Sequence, residues 1–256
     1  MSCTLKVALP FVLLVAAAQE DKKAPPDPKP RIAMAIPLCL SPGTASKITL
    51  RGLNLDQATE VKFSEPIEGA TLSIKSKGKA DIPKETDPAV YGDTKVEIEI
   101  KLPPEFAAEK IALVAVNAAG QTGPHEMPVL AKEKVILEKE PNGGFATAQA
   151  VEAGQTVQGS VSQAMDVDVF KITGKKGETW FFEVEAQRRG SVLDPMLLVH
   201  DAAAHTVASA DDSAASRDPS LRVTLPADGV YYVTVLDAHN MGGQTHVYLL
   251  RIRREN

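Results

Sequence analysis

Lys95-Val96-Glu97-Ile98-Glu99-Ile100 alternates charged and aliphatic residues without a break. Successive side chains of an extended chain point to opposite faces, so Val96, Ile98 and Ile100 share one face and Lys95, Glu97 and Glu99 the other. A sheet of such strands has a dry face that only a second sheet can hide. The same two-residue period recurs over residues 47–50, 60–63, 71–75 and 111–116, and turn chemistry such as Ser41-Pro42-Gly43 separates the runs. Over residues 32–130 this predicts an immunoglobulin-like β-sandwich of about 100 residues. The polar, proline-punctuated residues 76–93 read as a surface excursion.

Ala131-Lys132-Glu133-Lys134-Val135 breaks the pattern and reads as a linker at a domain boundary. Beyond it, Trp180-Phe181-Phe182-Glu183-Val184-Glu185-Ala186 places Trp180, Phe182, Val184 and Ala186 inward, with Glu183 and Glu185 facing water. Pro226-Ala227-Asp228-Gly229 is a turn feeding the β-branched and aromatic run from Val230 to Val235. The expected fold class is all-β, with two β-sandwich domains in tandem, the second covering residues 136–256.

At the N-terminus, Lys6 precedes an apolar run from Val7 to Val15 that closes on Ala16-Ala17-Ala18. This is the pattern of a signal peptide over residues 1–18, cut after Ala18. The run is shorter than the ~20 residues of a membrane span, so the chain is expected to be exported, periplasmic or extracellular, without a span. Its own leader and its end just after the last strand make it read as complete. Residues 19–31, rich in proline and charge, read as an extended linker. Cleavage removes Cys3 and leaves Cys39 without a partner for an internal disulfide; within Ile36-Pro37-Leu38-Cys39-Leu40 it reads as a small buried hydrophobe. The net charge is −5 at pH 7, and the cations are scattered among carboxylates, which argues against nucleic acid as a partner.

Candidate chemistry centres on Glu138, Glu140 and Asn142. In an extended segment residues two apart point the same way, so these three offer hard oxygens to one ion, and Asp166 and Asp168 repeat the spacing. Calcium takes six to eight such ligands, with backbone carbonyls and water completing the set. The alternative is a solvated strand face at Glu138 and Glu140, with Asp166 and Asp168 ending a strand. Asp194, Asp201, Asp211, Asp212 and Asp218 form a second acidic group around a hairpin, where Asp211-Asp212-Ser213 reads first as turn chemistry. No metalloprotease, nucleophile-elbow, phosphate-loop or dinucleotide motif occurs, so no catalytic residue is assigned and the chain is not expected to be an enzyme. His200, His205, His239 and His246 carry no metal-ligand spacing, and Arg188-Arg189 reads as solvated charge.

Two resemblances add to this reading. Pro42-Gly43, Ile48-Thr49-Leu50-Arg51-Gly52-Leu53-Asn54-Leu55, Val61-Lys62-Phe63 and the stretch from Val114 to Gly120 resemble IPT/TIG immunoglobulin-like domains, which implies a fold and no activity. In residues 136–253 five motifs follow in order: Glu138-Lys139-Glu140-Pro141-Asn142, Asp166-Val167-Asp168-Val169-Phe170, Leu193-Asp194-Pro195-Met196-Leu197, Asp211-Asp212, and Leu225 to Val233. They resemble the bacterial pre-peptidase C-terminal domain, which is similar to the collagen-binding domains of secreted collagenases. The resemblance implies a jelly-roll-like sandwich appended to exported proteins and calcium at Glu138, Glu140, Asn142, Asp166 and Asp168. Gly143 departs from the pattern, because calcium-binding members commonly carry a further Asn or Asp there.

The function expected from all this is that of a secreted, non-catalytic accessory protein contacting an extracellular protein or polysaccharide. Tyr231, Tyr232 and Tyr248 are the candidate contact aromatics, with core packing the favoured reading of each because they lie in strands. The alternative is a peptidase-associated segment, or the partner of a separately encoded secreted peptidase.

Overall fold

The computed structural model describes residues 27–82 and 86–255. The signal peptide read over residues 1–18 and most of the linker read over 19–31 lie outside them. The described residues form four sheets, stacked as two sandwiches.

In the first sandwich one sheet runs Arg31–Ile36, Ala45–Leu53, Thr94–Lys101, Thr71–Lys79, all antiparallel. The facing sheet is built on Lys110–Asn117, which pairs with Glu60–Phe63, Gly120–Gln121 and His125–Pro128. Ile48, Leu50, Val96, Ile98 and Ile100 meet Ile111, Leu113, Ala115 and Met127 between them, so the alternation around Lys95 is realised side chain by side chain.

Two local readings change. The stretch over 76–93 is not all excursion: Thr71–Lys79 continues as strand past a bulge at Lys75 and pairs with Thr94–Lys101. Ser76-Lys77-Gly78-Lys79 is an edge strand, paired on one side only, and needs no apolar alternation there. The end of the linker is also fixed. Pro30 is buried, and Asn54 Nδ2 donates to the carbonyls of Asp27 and Lys29, both at 2.9 Å.

In the second sandwich one sheet runs Gln149–Ala150, Val167–Gly174, Gly229–Asp237, Pro195–His200, Thr206–Ala210. The other runs Ser220–Thr224, Thr179–Glu185, Val247–Glu255, Gln155–Ser160, Lys134–Leu137. Trp180, Phe182, Val184 and Ala186 are buried as their alternation predicts, with Phe170, Tyr231, Tyr248 and Leu250 packed in the same core. Lys134–Leu137 pairs in parallel with Gln155–Ser160, so the second half of the 131–135 stretch is strand.

Val247–Glu255 explains why its sequence reads as a continuous apolar run. Tyr248, Leu250 and Ile252 point into the core, while Val247 and Leu249 on the opposite face are buried against Met34, Leu38 and Cys39 of the first sandwich. Glu185 lies on that covered face beside Leu249 and is buried, contrary to the expectation that it faces water. Burial alone would raise its pKa, but Arg251 Nε at 2.8 Å and Arg189 Nη2 at 2.7 Å hold the carboxyl below its ordinary value. Arg251 also pairs with Glu133, so an ion-pair chain bridges the connecting segment to the second sandwich. Cys39 donates to Gln158 Oε1 at 3.2 Å in the same contact. Burial, followed by the Glu133 charge, pushes its thiol up to about 12, which suits a packing role and not a nucleophile.

Candidate metal centre

Glu138 follows the strand Lys134–Leu137 directly, and its N–H still donates to the Gln158 carbonyl at 3.0 Å. Its Oε2 accepts from Ser160 N at 2.8 Å, and its Oε1 accepts from Asn142 Nδ2 at 2.8 Å. Glu140 Oε2 accepts from Asn142 N at 2.9 Å, which closes the segment on itself. Asn142 is fully buried, and its carbonyl accepts from Val169 N at 3.1 Å, pinning the segment to the strand that carries Asp168. Asp168 has no exposed surface, and its Oδ2 accepts from the Tyr248 hydroxyl at 2.8 Å.

The carboxylates of Glu138, Glu140 and Asp168 each bring an oxygen to within 4.8 Å of the other two. Among the described residues few buried side-chain atoms lack a hydrogen-bond partner, yet two of them, Asn142 Oδ1 and Asp168 Oδ1, lie in this one cluster. An unmatched buried acceptor costs about 1–3 kcal/mol, so two side by side are a standing demand for positive charge or a donor. Burial, and then the hydrogen bond and charge of Glu138, push Asp168 up to about 10. Burial, then Asp168 and Glu138, likewise raise the Tyr248 phenol. The cluster alone keeps a proton at Asp168. Three carboxylates and an amide oxygen are the hard, all-oxygen donor set that calcium takes, so the residues present fit that ion.

The pKa of Asp168 carries a pH dependence. A folded value of about 10 against an ordinary 3.8 means the folded chain holds a proton there that the unfolded chain releases. The stability this contributes is complete below pH 4 and is lost as pH rises toward 10. In EDTA the midpoint of urea unfolding is expected to fall from pH 5 to pH 9, and Asp168→Asn to flatten that slope. A slope identical in the variant would show that other groups set it.

Asp166 does not join the cluster. The strand starts at Val167, so the two-residue alternation that equated Asp166 with Asp168 fails one residue earlier. Its Oδ2 accepts from Ser162 N at 2.7 Å and Oγ at 2.8 Å, and its Oδ1 accepts from Val167 N at 3.0 Å, so it ties a turn. Tyr248 is buried beneath the cluster, in keeping with the core reading of its strand position. Its signal was Gly159, opposite it in the neighbouring strand, where a Cβ would sit 2.6 Å from the Tyr248 ring. Tyr231 is core as well, its hydroxyl donating to the Ala227 carbonyl at 2.8 Å. Tyr232 is half-buried and stacks on Phe145, with centroids 4.2 Å apart.

The second acidic group splits. Asp194, Asp211 and Asp212 converge, but Asp194 Oδ2 already faces Arg217 at 3.2 Å and His239 at 3.5 Å. Asp201 caps a turn through the N–H groups of Ala203 and His205, and Asp218 accepts from the N–H groups of Gln187 and Arg188.

Residues 166–236 match the family of the bacterial pre-peptidase C-terminal domain. A probable subtilase-type serine protease of Deinococcus radiodurans is 31% identical over 123 residues, 43% of this chain and 17% of that protein, so the chain spans about a sixth of its relative. Among solved structures, the pre-peptidase C-terminal domain of a Bacillus anthracis collagenase is 16% identical, with TM-score 0.35, covering 45% of this chain and 100% of that one. PliG of Aeromonas hydrophila, a periplasmic inhibitor of g-type lysozyme, is 15% identical, with TM-score 0.34, covering 48% of this chain and 99% of that one. The matched residues 166–236 lie within the second sandwich and run from the start of Val167–Gly174 to the end of Gly229–Asp237.

Proposed function

We propose that the chain is an exported, non-catalytic accessory protein of two modules, residues 32–130 and 136–256, whose second module is organised by calcium and contacts a protein or polysaccharide outside the cytoplasm. The observation that carries the cation is the pair of unmatched buried acceptors, Asn142 Oδ1 and Asp168 Oδ1, on one residue bonded to Glu138 and Glu140 and one clustered with them. The accessory role is supported by the match of residues 166–236 to a domain appended to peptidases. Among the described residues no helix is long and apolar enough to cross a membrane.

Glu138, Glu140, Asn142 and Asp168 would hold the ion, which when bound supplies the positive charge these oxygens lack. Tyr248 orients Asp168 by donating to its Oδ2, and Ser160 N orients Glu138. The Asn142 carbonyl locks the segment that carries three of these residues to the strand that carries the fourth.

An ion bound only by the folded chain stabilises it by about 2.7 kcal/mol at a hundred times its Kd, a rise in Tm on the order of 5–10 °C. Calcium is expected to produce this rise, EDTA to reverse it, and Glu140→Ala to abolish it. Melting curves that do not move across millimolar calcium remove the ion from the account.

A second reading rests on the Deinococcus relative: the module would accompany a secreted peptidase. A change in the activity of a purified subtilase-type peptidase on mixing with this chain would favour it.

A further inference from the structure

The wet face of the first sandwich does not open onto bulk solvent along its whole length. Thr49 and Glu97, paired across adjacent strands, line a cavity of about 500 Å³ whose far wall is Ser160, Gln244 and Thr245 of the second sandwich. A cavity of about 460 Å³ adjoins it through Arg51, Asp81 and Thr245. Another, of about 470 Å³, adjoins it through Thr49 and Glu97 and reaches Lys47 and Lys75. The three form one groove, each part within the roughly 300–1,000 Å³ of ligand sites.

The groove is preformed. Arg51 is buried, and its guanidinium holds the carbonyls of Tyr91 at 3.2 Å, Gly92 at 3.0 Å and Asp81, which fixes one wall. On the other wall the Thr245 carbonyl accepts from Ser191 Oγ at 2.9 Å and Val192 N at 3.1 Å. Ile36 and Val247 give the middle an apolar floor. At the end of the groove His246 is 3% exposed, and its Nδ1 has no hydrogen-bond partner. Burial lowers the imidazole pKa, so the neutral ring closes this end of the groove, its Nδ1 buried.

We propose that this groove binds an extended polypeptide segment, one aliphatic side chain over Ile36 and Val247 and charged side chains along its length. Lys95 and Glu97 at one position, and Lys75 and Glu99 at the next, present both signs of charge, which suits a mixed-charge peptide and gives no field for a polyanion. Gln244 and Thr49 offer neutral groups to main-chain amides. Among the described residues no Phe, Tyr or Trp lines any of the three cavities, so they present none of the broad rings on which a sugar stacks; the Phe145–Tyr232 pair belongs to another sheet. The inference rests on the reading of the chain as a binding protein and names its ligand class and the place where it docks.

The test uses the full chain and, as probe, fluorescein-labelled carboxymethylated α-lactalbumin, an unfolded polypeptide, read by anisotropy with and without calcium. Saturable binding is expected, weakened about tenfold or more by Thr49→Trp or Gln244→Trp, which fill the groove from its wet side. Gln244→Ala, which adds no bulk, is expected to weaken binding less and keeps the test open where a tryptophan variant does not fold. Absence of saturation, or affinity indifferent to all three changes, overturns the proposal. So does soluble mixed-linkage glucan binding in a manner the plugs abolish, which would make this a saccharide groove. The calcium-dependent rise in Tm is expected to persist in the plugged variants, so loss of either result identifies which of the two readings has failed.

Discussion

Phe182→Ala is expected to destabilise the second sandwich by about 3–5 kcal/mol, the range for truncating a buried aromatic ring. Phe182 has no exposed surface and stacks on Trp180 at 6.1 Å, nearly parallel, between the two sheets. Phe170, Tyr231 and Leu250 belong to the same buried cluster, each on a paired strand. Trp180 is the chain's one tryptophan, so its fluorescence reports this sandwich alone. With a urea m-value of about 2 kcal/mol/M, the unfolding midpoint should fall by about 1.5–2.5 M. A midpoint within about 0.3 M of the parent would mean the core tolerates the void, contrary to close packing.

Gly52→Ala should produce the corresponding loss in the first sandwich. A Cβ at Gly52 would lie 1.8 Å from the Arg31 carbonyl oxygen, backbone against side chain with no rotamer to escape through. The cause is a β-bulge: the register of Arg31–Ile36 against Ala45–Leu53 shifts between Ile32 and Met34, and the extra residue presses the bulged strand onto Gly52. Gly92 closes the other side, since a Cβ there would meet the Gly52 carbonyl at 2.0 Å, and its φ of 78° already favours glycine. The cost is expected at the upper end of the roughly 1–3 kcal/mol of overpacking, visible as a drop in Tm by circular dichroism. The same variant asks whether the sandwiches unfold together. Coupling through Met34, Leu38, Val247 and Leu249 predicts that Trp180 fluorescence shifts with it. A Trp180 transition that stays in place would mean the junction transmits no stability.

How much of this the sequence shows depends on what each residue faces. Val96, Ile98 and Ile100, and likewise Trp180, Phe182 and Val184, bury one face in a single core, so their period of two is readable directly. Val247 and Leu249 are covered by the other sandwich, and the period disappears where both faces are dry. Glu185 misleads for the same reason, because a charge on the outward face looks solvated until Arg189 and Arg251 are placed beside it. At the candidate centre, spacing grouped Glu138, Glu140, Asn142, Asp166 and Asp168, and the fold brings Glu138, Glu140, Asn142 and Asp168 together. Asp166 stands apart from them, because a strand boundary interrupts the alternation there. Tyr248 went unrecognised because its link to Asp168 spans 80 positions, with only Gly159 as a local trace. The groove was not legible at all, since its walls come from residues such as Thr49 and Gln244 that meet only when the sandwiches are in place.

The parallel pairing of Lys134–Leu137 has a mechanical consequence. Thr156 lies between Val135 on one side and Arg251 on the other, so Lys134–Leu137 and Val247–Glu255 run in opposite directions with Gln155–Ser160 between them, and the start of the first and the end of the second lie at the same end of the sheet. Tension applied across the module would peel its edge one rung at a time, without shearing a whole ladder at once. Glu138 is the first residue past the peeling strand, so a cation held there would act as the stop on the zipper.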